Sequence, residues 1–380
     1  MVHEESLEGG HRDPVVAVEV GDAGLHEADA VLDGEERLLG GVDGDGDLDI
    51  VVSSSRDNTV AWFENDGAAN PGFSHANIAT NARGGADVVV ADMDADGDLD
   101  IVSASSGDDT IAWYENNGAA NPTWTAADIA TSANGAYSVD VADMDGDGDL
   151  DIVSASDTDN TIAWYEHDGA ANPSWTAADI ATNVDGARGL SVADMDGDGD
   201  FDIVSAARDD DAIDWFENDG AADPTWTKAN IATSADGALD AKVADMDGDG
   251  DMDIISASHL DDTIAWYEND GAADPTWTAA NIATDADGAV DLEAADMDGD
   301  GDMDIIAGSR LDDTVSWYEN DGAADPTWTA TDIDTSGDWV RDVHIGDLDG
   351  DGDLDIVVAS RNDDTIAWYE NTCDGSDPLV

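Results

Sequence analysis

Aspartate recurs at alternate positions of a nine-residue segment that returns every 51 residues. Six copies are complete, carrying Asp92, Asp94, Asp96, Asp98 and Asp100; Asp143, Asp145, Asp147, Asp149 and Asp151; Asp194, Asp196, Asp198, Asp200 and Asp202; Asp245, Asp247, Asp249, Asp251 and Asp253; Asp296, Asp298, Asp300, Asp302 and Asp304; and Asp347, Asp349, Asp351, Asp353 and Asp355. One period upstream, residues 41–49 hold Gly41 in place of the first aspartate and keep Asp43, Asp45, Asp47 and Asp49. Alternate carboxylates in a segment this short converge only if the chain turns back on itself, and position 6 is glycine in all seven copies, the residue that permits the positive φ of such a turn.

That arrangement suits a hard cation. Ca²⁺ takes about six to eight oxygen ligands, and a loop with carboxylates at positions 1, 3 and 5, a backbone carbonyl from position 7 and a closing aspartate at position 9 supplies them. Six to seven calcium ions per chain are expected, the 41–49 site being the weakest because Gly41 offers no carboxylate. An EF-hand is excluded, since its bidentate glutamate stands at position 12 and here that place holds Ser103, Ser154, Ser205, Ser256, Val52, Ala307 or Val358. Calcium-binding β-helices repeat every nine residues or so and fail on period.

The elements that must position these loops are short strands. In the copy that begins near Ala136, residues 138–142 alternate apolar and polar and enter the loop, and residues 151–155 leave it. Residues 161–166, Thr-Ile-Ala-Trp-Tyr-Glu, form a third strand. After an Asp-Gly and Asn-Pro break, residues 175–182 form a fourth, outer strand whose alanines would also tolerate a helix. Four antiparallel strands per repeat, seven times over, predict an all-β fold, a seven-bladed β-propeller in which each blade covers its neighbour. Trp62, Trp113, Trp164, Trp215, Trp266, Trp317 and Trp368 share one position and Phe73, Trp124, Trp175, Trp226, Trp277 and Trp328 another; aromatic residues in every unit read as core. The last unit stops before its fourth strand, and residues 25–32, which loosely match that strand, are expected to supply it and so close the ring from the N-terminus. Residues 1–13 read as a disordered leader, 14–371 as the propeller and 372–380 as a tail. Residues 15–20 form an apolar, strand-like run with no assigned partner.

Composition limits the partners. The net charge is −81, from 92 acidic and 11 basic residues, which makes nucleic acid and anionic membranes improbable partners; seven divalent ions would neutralise only a small part of it. Nine of the basic residues are arginine and two, Lys228 and Lys242, are lysine. This is the pattern of adaptation to molar salt, where the Debye length falls to roughly 3 Å, and a halophilic source is expected. Apolar runs are far shorter than a membrane span, so no membrane insertion is expected. The N-terminus shows no secretory signal. The single Cys373 excludes an internal disulfide framework.

The string Asp-x-Asp-x-Asp-Gly-Asp-x-Asp-Ile-Val, followed by Ile-Ala-Trp-Tyr-Glu-Asn, resembles the FG-GAP/VCBS repeat, the blade of integrin-α-like propellers. The resemblance implies calcium in the loop between a blade's first two strands, held by the side chains at positions 1, 3, 5 and 9. It also implies an extracellular or cell-surface role in adhesion, glycan binding or assistance to degradative enzymes.

The ligand itself should meet the face opposite these loops. One turn position there carries Ser55, Ser106, Asp157, Arg208, His259, Arg310 and Arg361, with Arg56 beside the first, and the crossings between blades add Arg83, Arg188, Arg341 and Tyr137. Arginine binds planar anions bidentately, so a uronate, a sulfated glycan or a carboxylate-bearing protein is the expected ligand. The competing reading pairs Arg208, Arg310 and Arg361 with the aspartates that follow each of them. Val89, Asp140, Ser191, Lys242, Glu293 and His344 vary along the inner strands; Lys242, Glu293 and His344 could be an acid/base group of a polysaccharide lyase or simply solvated channel residues. A purely structural repeat in a surface assembly is the third alternative.

Overall fold

A computed structural model describes residues 15–20, 41–362 and 364–372. Every regular element among them is a strand, arranged in seven antiparallel sheets, six of four strands and one of three. The third blade is typical, with strands Ala136–Ala142, Asp151–Ser156, Thr161–His167 and Trp175–Ala181 paired in sequence order. The 51-residue period is therefore one blade, and the alanine-rich fourth segment is a strand because its backbone pairs with Thr161–His167.

Burial follows position in the blade. The second strand, Asp151–Ser156, is buried along its whole length, since blades cover both of its faces. Ile152 and Val153 are fully buried, each side chain contributing about 1.5–3 kcal/mol. The outer strand Trp175–Ala181 is mostly exposed. The first tryptophan series is core in all seven blades. The second is only half-buried; Trp175 and Trp277 pack edge-on against Trp113 and Trp215 of the preceding blade, with centroids 6.5 and 6.3 Å apart.

The ring closes between the first and seventh blades. Leu48, Ile50 and Phe63 pack with Leu348, Val357 and Trp368, and Asn65 Nδ2 donates to the Leu348 carbonyl at 2.8 Å. Val15–Val20 is the first strand of the first blade, antiparallel to Ile50–Ser54. Residues 1–13 and 25–32 lie outside the described residues, as does the tail beyond residue 372, and the seventh blade has three described strands.

A second seam device involves an asparagine just after the third strand's tyrosine or phenylalanine and glutamate. Asn116 Nδ2 donates to Leu99 O in its own blade and to Val42 O in the preceding one; Asn65, Asn218, Asn269, Asn320 and Asn371 repeat the clamp onto the preceding blade at 2.8–2.9 Å. In the third blade the position is His167. Its Nδ1 accepts the Gly169 N–H at 3.0 Å, so in the neutral ring the proton sits on Nε2, which is buried without an acceptor among the described residues. Supplying both missing bonds with His167→Asn should stabilise the protein by about 1–3 kcal/mol, the cost of an unsatisfied buried donor. Chemical denaturation measures this; an unchanged or lower midpoint would mean that the edge contact of His167 with Trp175, at 4.9 Å, outweighs the orphaned donor.

Candidate functional site

Two constellations emerge, one at each end of the ring. At the first, the loops turn as their glycines require: position 6 has φ between +94° and +101° in every copy. Ala95 takes φ +57° at a position where all six other loops have glycine at +72° to +74°. In the second blade the Asp92 carboxylate accepts the N–H groups of Asp96 and Gly97, both at 3.0 Å, and Asp96 accepts that of Asp98. These bonds fold the loop so that carboxylate oxygens of Asp92, Asp94 and Asp96 lie within 4.8 Å of one another, as do those of Asp143, Asp145 and Asp147, of Asp194, Asp196 and Asp198, and of Asp296, Asp298 and Asp300. In the fifth blade the trio is Asp245, Asp247 and Asp253, drawing in position 9. Such clusters could hold metal ions. Gly41 stands where an added Cβ would meet Asp47 O at 2.0 Å, so the first loop is too tight for the aspartate it lacks.

Positions 7 and 9 do other work as well. The Asp98 side chain lies against Gly118, so that a Cβ there would displace its carboxylate. Asp100 is fully buried, one oxygen accepting Asn116 N–H at 2.7 Å and the other Trp113 Nε1–H at 3.0 Å and Met93 N–H at 3.3 Å. Burial pushes Asp49, Asp100, Asp151, Asp202, Asp253, Asp304 and Asp355 up to about 7, against the pull of these donors. Burial and then neighbouring aspartates raise the position 3 carboxyls too, Asp94 and Asp145 among them.

At the opposite end, the turn between second and third strands is bound to the crossing that precedes its own blade. The N–H groups of Arg208, His259, Arg310 and Arg361 donate to the carbonyls of Gly186, Gly237, Gly288 and Trp339 at 2.9–3.2 Å. An Asn or Asp with φ near +60° ends each turn, and its side chain accepts the N–H of the next blade's crossing residue, Asp262 from Gly288 at 3.0 Å and Asp313 from Trp339 at 2.9 Å. Asp313 is thereby committed elsewhere than to Arg310.

These anchored turns bring the predicted ligand-face residues together. Tyr137 and Arg341, from the third and seventh blades, hydrogen-bond across the mouth of the ring, and the Arg188 guanidinium lies 4.1 Å from the Tyr137 ring centroid. Arg188 and Arg208 share Asp157 at 2.8 and 3.4 Å, and Arg208 also chelates Asp209 at 2.7 and 2.8 Å; for Arg208, local pairing is the observed state. Arg56 approaches Asp364 at 3.9 Å. Arg310 enters no ion pair among the described residues, and its Nε is buried without an acceptor. Burial, then Arg341, hold both Arg310 and Arg361 below the ordinary arginine value. Burial and Arg310 lower His259, whose Nδ1 meets Gly237 O at 2.7 Å. Burial opposes, but Arg341 and Arg188 outweigh it and lower the Tyr137 phenol.

Sequence reasoning missed Trp339. It occupies the crossing position held by Gly84, Gly135, Gly186, Gly237 and Gly288, all with φ of +66° to +73°, and adopts +66° itself. Its ring centroid is 5.8 Å from the Arg310 guanidinium. Aligning the crossings by period would have exposed the exception.

Along the inner strands, Glu293 takes Lys242 Nζ at 3.1 Å and His344 Nδ1 lies 3.5 Å from the same oxygen, so the three residues do meet, with Lys242 neutralising Glu293. Above them Asp240, Asp291 and Asp342 form a carboxylate row in which burial, then Asp342 and Asp240, raise Asp291 well above its ordinary value. Asp240 and Asp291 each accept an N–H from the next blade's inner strand, from Leu292 at 3.4 Å and from Val343 at 2.7 Å.

A model described as an FG-GAP-like repeat matches residues 42–103, 92–154, 143–205, 194–256, 245–307 and 298–358. No curated protein matches the chain. Among solved structures, a protein from Lactobacillus plantarum is similar over 86% of this chain and 92% of its own at 16% identity and a TM-score of 0.60. BBS1N in complex with ARL6DN is similar over 89% and 92% at 12% identity and 0.57. The rhamnogalacturonan lyase YesW covers 99% of this chain with 75% of its own, at 13% identity and a TM-score of 0.50. Likeness at these identities is likeness of fold.

With divalent metal chelated, the seven buried carboxyls set the pH dependence. Their folded values of about 7 lie above the unfolded 3.8, so the folded state binds the extra protons. Their contribution to stability is full below pH 3.8 and lost as pH rises through about 7. Melting temperature in chelator at fixed high salt should therefore fall from pH 5 to pH 8. A rise over that range would show that these aspartates ionise with ordinary affinity.

Proposed function

The chain belongs to the FG-GAP-like repeat family, and we propose that it is a calcium-stabilised recognition module, extracellular or on the cell surface, that binds an anionic glycan or protein at the arginine-bearing mouth. The observation that carries this reading is Arg310, a half-buried side chain with a buried Nε and no ion pair among the described residues, in a chain with 92 acidic residues. In such a chain a cation is paired wherever geometry allows. Arg310 is followed by Leu311 where Arg208 is followed by Asp209, so the carboxylate that chelates Arg208 has no counterpart beside it. Arg341, Arg188 and Arg361 surround the same mouth, so an incoming carboxylate or sulfate would relieve their mutual repulsion. Charge-assisted bonds of this kind contribute about 1.5–3 kcal/mol each.

Calcium would serve the other end. Three carboxylates about 4 Å apart repel by roughly 4 kcal/mol per pair at an effective dielectric of 20, and a divalent ion reverses that. Because the loops hang from the blade seams, ion binding stabilises the ring on which the opposite face depends. Molar salt screens the rest of the negative surface, consistent with a saline habitat.

Two expected outcomes test these readings. Chelation at pH 8 in molar KCl should lower the melting temperature sharply, and calcium should restore it; an unchanged melt would remove calcium from the account. Separately, Arg310 and Arg361 both changed to alanine should abolish binding of acidic oligosaccharide or polyglutamate, read by calorimetry, with the melt nearly unchanged. Normal binding with an earlier melt would mean that these arginines serve only local pairing.

A further inference from the structure

The blade crossing is a place where a side chain is expensive. At Gly84, Gly135, Gly186, Gly237 and Gly288 the backbone is left-handed, and an added Cβ would approach a neighbouring atom to 2.4–2.9 Å. The seventh blade places a tryptophan there at φ +66°, and a left-handed conformation costs a residue with a Cβ about 1–2 kcal/mol. The fold does not need the indole at this point, since five other crossings are built without one. Backbone strain that packing does not require is a mark of a functional position.

What surrounds the indole says what it could serve. Trp339 is only half-buried, yet its Nε1–H has no acceptor among the described residues, and neither does the buried Nε–H of Arg310. The two groups stand 5.8 Å apart, centroid to guanidinium, and both are fixed by backbone bonds: Trp339 N–H to Asp313 and Arg310 N–H to Gly288 O. The pair thus offers, from two anchored backbone positions, a flat apolar ring with a planar cation over part of one face.

We propose that Trp339 and Arg310 form a subsite for a hexuronate residue of an acidic polysaccharide, the C–H face of the pyranose on the indole and the ring carboxylate on the guanidinium. The proposal deepens the anion-binding reading and rests on it. A hexuronate carries its carboxylate directly on a six-membered ring, so one rigid unit spans the cation and the flat face. A glutamate side chain brings the carboxylate without the face, and a neutral hexose the face without the charge. A planar carboxylate also matches the guanidinium fork better than a tetrahedral sulfate does.

The test uses the full chain in molar KCl with calcium, titrated calorimetrically with trigalacturonate, trimannuronate and a hyaluronan tetrasaccharide, with a neutral galactotriose and polyglutamate as controls. Wild type should bind at least one of the uronates and not the neutral sugar. Trp339→Gly, which installs the residue of the other crossings, should melt no lower than wild type and bind that uronate at least tenfold more weakly; Trp339→Phe should recover part of the loss. Equal uronate affinity in wild type and Trp339→Gly would overturn the stacking proposal while leaving the anion reading intact. Binding of polyglutamate but of no uronate would overturn it in favour of a protein ligand, and failure to bind any of these anions would overturn both readings.

Discussion

The ring depends on a buried aspartate that ends each acidic loop. In the second blade Asp100 gathers the N–H of Asn116, the indole N–H of Trp113 and the N–H of Met93, so one carboxylate ties the loop to the blade's core tryptophan and to the end of its third strand. Asn116 then carries the connection into the preceding blade through Val42 O. Loop, core and seam are one hydrogen-bonded unit, and a carboxylate buried among donors is stable only while they stay in place. A change of charge in the loops is therefore transmitted to the seams, the property a metal-stabilised ring requires.

The two ends of the ring divide the labour. The loop end is periodic, with the same aspartates seven times and a single exception at Gly41. The opposite end shares a periodic scaffold of left-handed turns and crossing bonds, but the side chains mounted on it differ from blade to blade. Repetition builds the support, and departure from repetition sets the mouth: Tyr137 and Arg341 meet across it from equivalent positions.

Much of this was legible in the chain because a 51-residue period converts every local pattern into seven trials. Strand alternation, loop spacing and the core tryptophans each recur, so blade count and strand number follow without any structure. The site was legible as a concentration of scarce basic residues on one face, which is how Arg208, His259, Arg310 and Arg361 stood out. Three things were hidden. Pairing depends on side-chain reach, and Arg208 and Arg310 behave oppositely because the next residue is Asp209, which chelates its arginine, in one turn and Leu311 in the other, while the turn-ending Asp211 and Asp313 accept the next crossing's N–H in both. The position 9 aspartates looked like ligands alone, since nothing in their spacing reveals the tryptophan and asparagine donors around them. Trp339 was missed because glycine is read as a turn signal, so its replacement shows in the sequence only when the crossings are aligned by period, and its left-handed φ only in the structure.

The proposed anion site would have to persist in a molecule of net charge −81. At low ionic strength the surrounding acid would oppose any anionic ligand over tens of ångströms, since the Debye length is about 30 Å at 0.01 M salt. Molar salt cuts that reach to roughly 3 Å, less than the width of a side chain, and the field at the mouth is then that of the nearest groups. Those are arginines, whose guanidinium groups stay protonated even where burial and one another's charge oppose it. High salt weakens exposed contacts as well, so a site that works there must take its charges partly out of water, as Arg310 and Arg341 are, and must add an apolar contact that salt does not screen. An indole beside a desolvated guanidinium meets both conditions, which is why the composition of the whole chain and the oddity at one crossing belong to the same argument.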